Sequence, residues 1–459
     1  MTEIVQEAGE PAPPRPGGSV SPRRLGGVVA KLTAANSLLV IGGFVTGPLQ
    51  ARALGPVGRG EVAAISSTLG LVPTLASLGL GSYAMWAVAR GRSTGAVLGT
   101  TIALYLLVGI VVAALAVPVS SALSGGHPVV REFLLIGLLV LPVSLIGTLI
   151  LDVALGREMW GAVVSTKVVG GLIAVVPVIV LFVAGALTVS SAAVVVIATG
   201  VALVIPLIAL VRKRTDRLRW RKDIAREGVS FGLKAWLGGV SSVTNGRLDQ
   251  VLMVDLASAR QLGLYAVAVS MSTVFISLVI SSMQFAMAPR VARGDTALVP
   301  KMARTTVAGS VTLASATAIA SPFALRYLFG RNFEGAEPML LILLVGSLML
   351  ALNAILSSAL SSAGHPGVAA RAEIYAVLIT VPGLLLLLGP LGGVGAAIVS
   401  VLAYAFTDAY LLLEVKSRFG GRVLDYVLPR RDDFAFLATA ARQSWAKRRG
   451  HDRLAGPDA

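Results

Sequence analysis

The chain has no cysteine, which excludes disulfides, thiolate metal sites and a cysteine nucleophile. Its three histidines, His127, His365 and His451, stand far apart, so nothing resembles a histidine-rich ligand cluster. No glycine-rich loop ending in Gly-Lys-Ser/Thr is present, which excludes ATP hydrolysis by that route. Charge is also scarce: Asp, Glu, Lys and Arg make up 14% of the 459 residues. These absences leave no expected cofactor or metal and argue against an enzyme.

What is present is apolar sequence. Hydrophobic residues make up 55% of the chain and the mean hydropathy is +0.83, beyond an ordinary soluble domain. A helix needs about 20 apolar residues to cross the hydrocarbon core. Runs of that length recur at 31–53, 62–85, 96–122, 133–153, 162–184, 187–211, 229–254, 263–288, 304–325, 338–360, 371–390 and 393–415. The expected fold is all-α: a polytopic membrane protein with about 12 transmembrane helices.

The net charge of +16 is concentrated between these runs, which argues against nucleic acid as a partner. Counting from a cytoplasmic N-terminus, the cytoplasmic loops and tails hold roughly 31 of the 39 Lys and Arg residues, the opposite loops about 6. Both termini are therefore expected in the cytoplasm of a plasma (inner) membrane. Residues 1–25, rich in proline, are expected to be a disordered tail. The basic segment 212–227 is read as a topology determinant beside anionic lipid headgroups, the alternative being a site for a cytoplasmic partner. Residues 416–459 read as a basic tail, either a short interfacial helix or mobile.

The sequence also repeats. Val88-Ala89-Arg90-Gly91 recurs as Val291-Ala292-Arg293-Gly294, an offset of 203 that also brings Lys31 onto Lys234, Gly43 onto Gly246 and Gly60 onto Gly263. Six runs per half make this a parallel repeat, with bundles at 26–211 and 228–415 facing a central cleft across a pseudo-twofold along the membrane normal.

Within this frame Ala53-Leu54-Gly55-Pro56-Val57-Gly58-Arg59-Gly60, Leu248-Asp249-Gln250-Val251-Leu252 with Leu262-Gly263-Leu264-Tyr265-Ala266, Leu328-Phe329-Gly330 with Phe333 and Ala336, and Gly392-Gly393-Val394-Gly395-Ala396-Ala397 occur in order. In this order they resemble the polysaccharide-transporter (lipid-linked oligosaccharide flippase) branch of the multidrug/oligosaccharidyl-lipid/polysaccharide exporter superfamily, over residues 28–415. The resemblance implies movement of a lipid-linked glycan, of the polyprenyl-pyrophosphate type, to the outer leaflet by alternating access. Its implied partners are membrane lipids and polysaccharide-assembly enzymes. Lipid II flippases of the superfamily commonly carry two spans beyond the twelve expected here, so the resemblance to that branch is weaker.

The seventh run is the least apolar. On a helix Lys234, Gly238, Ser241, Asn245 and Asp249 fall within about one third of the circumference. A polar face of this kind belongs in the bundle interior or a hydrated cleft, and Asn245 and Asp249, with Asn36 and Gln50 of the first run, are expected to line the central cleft between the bundles. Arg247 points to the opposite side, so it either snorkels to the outer surface or joins the site through a distortion at Gly246. In the first run Asn36, Gly43, Gly47 and Gln50 share one face, which fits cleft lining and close helix packing equally well.

Lys31 and Lys234 stand at the expected cytoplasmic mouth of equivalent spans, where two ammonium groups suit a pyrophosphate head; plain snorkelling is the alternative. Asp249 and Asp408 are the candidate ion-coupling acids, with an ion pair or a structural hydrogen bond as the respective alternatives. Asp152 is expected to cap a helix or pair with Arg157, and Asp255 to lie in an outer loop. The first run has no acid, unlike that of many cation-coupled drug exporters of the superfamily. An ion-coupled small-molecule or multidrug exporter is thus the second reading. A polytopic membrane enzyme would need a sizeable ordered loop outside the membrane, and the outer loops are short.

Overall fold

A computed structural model of the chain describes residues 22–202, 216–435 and 439, with side chains from Ile41 onward apart from a few positions. The described residues form helices and turns, without a strand. In order these are α1 (Pro22–Ala76), α2 (Leu80–Ala89), α3 (Thr94–Ala122), α4 (Pro128–Gly156), α5 (Trp160–Val183), α6 (Val189–Ala202), α7 (Lys222–Leu256), α8 (Ala259–Val291), α9 (Val299–Ala324), α10 (Glu337–Ser362), α11 (Pro366–Phe419) and α12 (Leu424–Val427).

Seven described helices are long and apolar enough to cross a membrane, and eight if residues 41–76 and α2, bent by 56°, are taken as one span. The most apolar windows of α3 and α4 reach a mean hydropathy of 2.7. The all-α, multi-pass expectation is met. α7 falls outside that set because polar residues run along its whole length, from Lys222 and Asp223 to Lys234, Asn245, Arg247, Asp249 and Gln250.

α11 is too long to cross once and folds back at Gly392, where φ is +54°. Gly383 packs on Val399 and Gly395 on the Leu387 carbonyl. Farther from the turn, Arg371 Nε donates to the Tyr410 hydroxyl at 3.2 Å, and the Tyr375 and Tyr410 rings meet edge-on at 5.3 Å. α1 breaks in the same way at Gly55 (φ +65°), and Leu49 and Leu54 before the break share a cluster with Val62 after it. The sequence led us to expect a loop at 53–60. Instead the turn is concentrated in one glycine, because a positive φ costs glycine nothing, and Pro56 then suits the first turn of the next segment.

The two ends of the molecule are packed differently. At the end bearing Gly55 and Gly392, the turn end, one core joins the halves: Ala51, Ala63 and Ile65 pack with Val254, Leu262 and Tyr265. At the opposite, basic end the cores are separate. One gathers α2–α5 around Tyr83, Tyr105 and Leu149, with Ile224 of α7; the other gathers α8–α12 around Met287, Leu356 and Tyr426.

The expected boundaries shift at three places. α1 starts at Pro22, inside the segment expected as tail. α7 starts at Lys222, so the end of the 212–227 linker is helical. Beyond α11 the chain docks rather than trailing away, with the half-buried Arg304 paired to the buried Asp433 at 3.2 Å and Arg304 Nη1 bonded to the Asp425 carbonyl at 3.0 Å. The expectations for 1–21, 203–215 and the end of the C-terminal tail lie outside the described residues.

Candidate functional site

α7 runs along both halves and presents a different face to each. Towards the first half, Glu227 accepts from Tyr83 (3.1 Å) and Arg92 (2.8 Å). The Phe231 ring stacks with Trp86 at 5.0 Å, and the Gly232 backbone lies against Gly79. Trp236 Nε1 donates to the carbonyls of Thr74 and Leu75, both at 3.0 Å. These carbonyls are exposed by the break between α1 and α2, where Leu78 and Gly79 both adopt positive φ. An indole N–H thus satisfies groups that a continuous helix would have paired internally.

Farther along this face Arg247 crosses to α1. Its Nη1 lies 3.4 Å from the Ser66 carbonyl, and its guanidinium covers Gly70. Beside it Ser67 Oγ bonds Gln250 Oε1 at 2.8 Å. Arg247 therefore lies opposite the polar stripe, without a kink at Gly246, and the surface it meets is the other half of the protein.

The opposite face of α7 lines a cavity of about 210 Å³ whose walls, including Asn245, Asp249, Tyr265, Asn353, Glu373 and Tyr404, all come from the second half. This corrects the expectation that Asn245 and Asp249 face a cleft between the bundles. The physical reason is the helical period: residues three or four apart share a face, and that face of α7 belongs to its own bundle. Asn245 Nδ2 donates to Glu373 Oε2 at 2.8 Å and to the Glu373 carbonyl at 3.0 Å. Tyr265 donates its hydroxyl proton to Asp249, whose other oxygen accepts from the Gln250 N–H at 2.7 Å. Ser242, Asn353 and Glu373 also line a wider open groove, of about 670 Å³, continued by Gln284, Ser357 and Ser361. The two carboxylates thus stand at the head of a polar vestibule leading towards the basic end.

The other predicted residues are scattered. Lys234 is exposed on α7 and Gln50 half-buried in α1. The side chains of Lys31 and Asn36 lie outside the described set. Asp408 is buried, and its Oδ1 has no partner among the described residues; it does not line the cavity, although its neighbour Thr407 does. Asp152 sits over Gly81, and Asp255 accepts from the Gly125 N–H. Sequence reasoning missed Glu373, Asn353, Tyr265 and Tyr404. Asn353 in the middle of an apolar run was a visible signal, whereas Glu373, near the start of its run, was not distinguished from an end residue.

At the turn end the halves meet reciprocally. A Cβ on Gly60 would strike the Ala259 carbonyl, and one on Gly263 would strike the Pro56 carbonyl. Both pairs of numbers, 60 with 263 and 56 with 259, are related by the repeat offset. Arg52 donates to the carbonyls of Tyr327 and Leu328, the latter at 2.8 Å. Asp255, 203 residues after Arg52, bonds across the halves in its turn and accepts from the Gly125 N–H.

The fold is that of transporters of the MOP superfamily. The chain superposes on lipid II flippase MurJ, in an inward closed conformation, with a TM-score of 0.68 at 12% identity, covering 85% of this chain and 89% of that one. An inward-facing multidrug resistance MATE family transporter gives 0.61 at 14% identity, over 84% and 94%. The MATE multidrug transporter DinF-BH gives 0.60 at 14%, over 90% and 100%. The chain itself belongs to the polysaccharide biosynthesis protein family, whose sequence profile matches residues 28–294. No curated protein matches it.

Proposed function

We propose that the chain flips a lipid-linked oligosaccharide or polysaccharide precursor from the cytoplasmic to the outer leaflet by alternating access. The observation that carries this reading is Arg247, an arginine within a membrane helix that crosses between the halves and makes no ion pair among the described residues. A charge held at that depth is costly and functional by default, and a guanidinium recognises phosphate oxygens through several donors at once. The family match and the MurJ-like fold support a glycan-bearing lipid as the anion.

In this scheme Lys31 and Lys234 receive the pyrophosphate head at the basic end, Arg247 holds it between the halves, and Asn36 and Gln50 line the first-half side. Both termini lie in the cytoplasm, and the two bundles are related by the parallel repeat, which the reciprocal contacts of Gly60 and Gly263 support. Asp249 couples transport to an ion reached through the polar vestibule, Asn245 positions Glu373 beside it, and Asp408 is a second coupling candidate.

The test follows the appearance of polyprenyl-pyrophosphate glycan in the outer leaflet of reconstituted vesicles. Arg247→Gln should lower transport about ten-fold, since a hydrogen bond to a charged group contributes about 1.5–3 kcal/mol. Lys31→Gln and Lys234→Gln should each raise the half-saturating lipid concentration several-fold, corresponding to about 1 kcal/mol at a hydrated mouth. Unchanged transport in all three variants, or drug efflux without glycan movement in the same vesicles, would overturn the proposal in favour of a multidrug exporter.

A further inference from the structure

The segment preceding α7 is neither helical nor free. Asp216–Arg221 lies across the first two turns of α3 as an extended segment bonded through its backbone. The Arg219 N–H reaches the Gly95 carbonyl at 3.3 Å, Thr100 Oγ1 donates to the Arg219 carbonyl at 3.4 Å, and the Arg221 N–H donates to Thr100 Oγ1 at 3.0 Å. Ser93 Oγ anchors the start of the segment through Asp216 at 3.2 Å. The close approach depends on glycine: a Cβ on Gly95 would lie 2.5 Å from the Asp216 carbonyl, and one on Gly99 would lie 2.7 Å from the Arg219 nitrogen.

While the backbone is fixed, the side chains are presented. Leu218 is 60% exposed and Trp220 55%, between Arg217, Arg219 and Arg221, all exposed. Arg221 is held by Asp223. Arg217, Arg219, Lys222 and Arg226 make no ion pair among the described residues. α3 is a perimeter helix whose outward Leu106, Leu107, Ile110 and Val111 are bare, so the segment rests where an apolar, lipid-facing helix begins.

We infer that this segment is a docking surface for anionic phospholipid headgroups. Trp220 and Leu218 occupy the interfacial level at which indole rings settle, and the unpaired cations beside them face the phosphates. Pinning the segment to α3 removes much of the ordering cost of the contact. Each basic residue near an anionic surface favours it by roughly five-fold. Arg217 and Arg219 are therefore expected to enrich anionic lipid around the segment well above its bulk fraction. The inference does not depend on the identity of the transported molecule.

The cysteine-free chain permits a direct test. A fluorophore on Leu218→Cys is read in vesicles of mixed phosphatidylglycerol and phosphatidylcholine, with the same composition in both leaflets, so sidedness is immaterial. One lipid at a time is brominated, at equal mole fraction. Brominated phosphatidylglycerol should quench several-fold more than brominated phosphatidylcholine. The preference should disappear in Arg217→Gln/Arg219→Gln and survive in Arg217→Lys/Arg219→Lys. It should also disappear in Gly99→Val, where every charge remains but the segment is lifted from α3. Equal quenching by the two lipids in the parent would overturn the inference. So would quenching by aqueous iodide alone, which would place the segment in water away from the lipid surface.

Discussion

The turn end and the basic end of this protein are built from the same helices and packed in opposite ways. At the turn end the halves share one apolar core and touch backbone to backbone through Gly60 and Gly263. At the basic end each half keeps its own core, and the contact between them runs through α7 on α2, with an aromatic group and a charged one, Glu227, at its centre. The turn end thus adds small residues and short side-chain bonds to a shared core, while each half packs its own basic end. The difference teaches that the halves are fused at the turn end by one shared apolar core, and at the basic end are joined through one face of α7.

The strongest challenge to this comparison is at the basic end. Asp433→Ala leaves Arg304 without its buried partner and should destabilise the second half by about 3–5 kcal/mol, seen as early loss of the Tyr426 region in thermal unfolding with hydrogen exchange. A smaller loss, with the C-terminal segment still protected, would mean that this end does not hold itself together. At the turn end, Gly60→Ala should disfavour the closed contact by about 1–3 kcal/mol through overpacking. Spin labels at Val57→Cys and Arg260→Cys should then separate. Because the contact is reciprocal, Gly263→Ala should have nearly the same effect, and a marked inequality would break the symmetry argument.

Gly392→Ala introduces a side chain at a backbone angle reserved for glycine and should cost about 1–3 kcal/mol, without altering the Gly60 label distance. The smallest effect belongs to the latches. Arg52→Gln and Asp255→Asn remove exposed charges, so each should shift the same label distance by less than about 1 kcal/mol in population, and salt should mask both.

The class of the fold was legible because it rests on run length and apolarity, which a chain carries residue by residue. The two faces of α7 were legible too: the helical period alone puts Arg247 opposite Asn245 and Asp249. What the period does not say is which neighbour each face meets. The polar stripe was therefore assigned to the cleft, although it lines a cavity within the second half, and Arg247 was left facing lipid or waiting for a kink. Glu373 and Tyr404 join that cavity from a hairpin more than a hundred residues away in sequence, and only the packing of α11 on α7 brings them there. The cross-half bonds of Arg52 and Asp255 were hidden for another reason. The two residues bear opposite charges and bond through main-chain groups, so nothing in their identities marks them as a pair.

The glycine turns of α1 and α11 have a consequence for how the chain reaches its membrane. A hairpin that reverses within one residue carries almost no polar connection to be dragged through hydrocarbon, and its facing helices already satisfy their backbone groups. The two hairpins, one opening the described chain and one closing its membrane region, can enter the bilayer as paired units. Assembly then becomes a matter of docking preformed pairs, with the last of them, through Glu373 and Tyr404, completing the polar cavity only after α7 is in place.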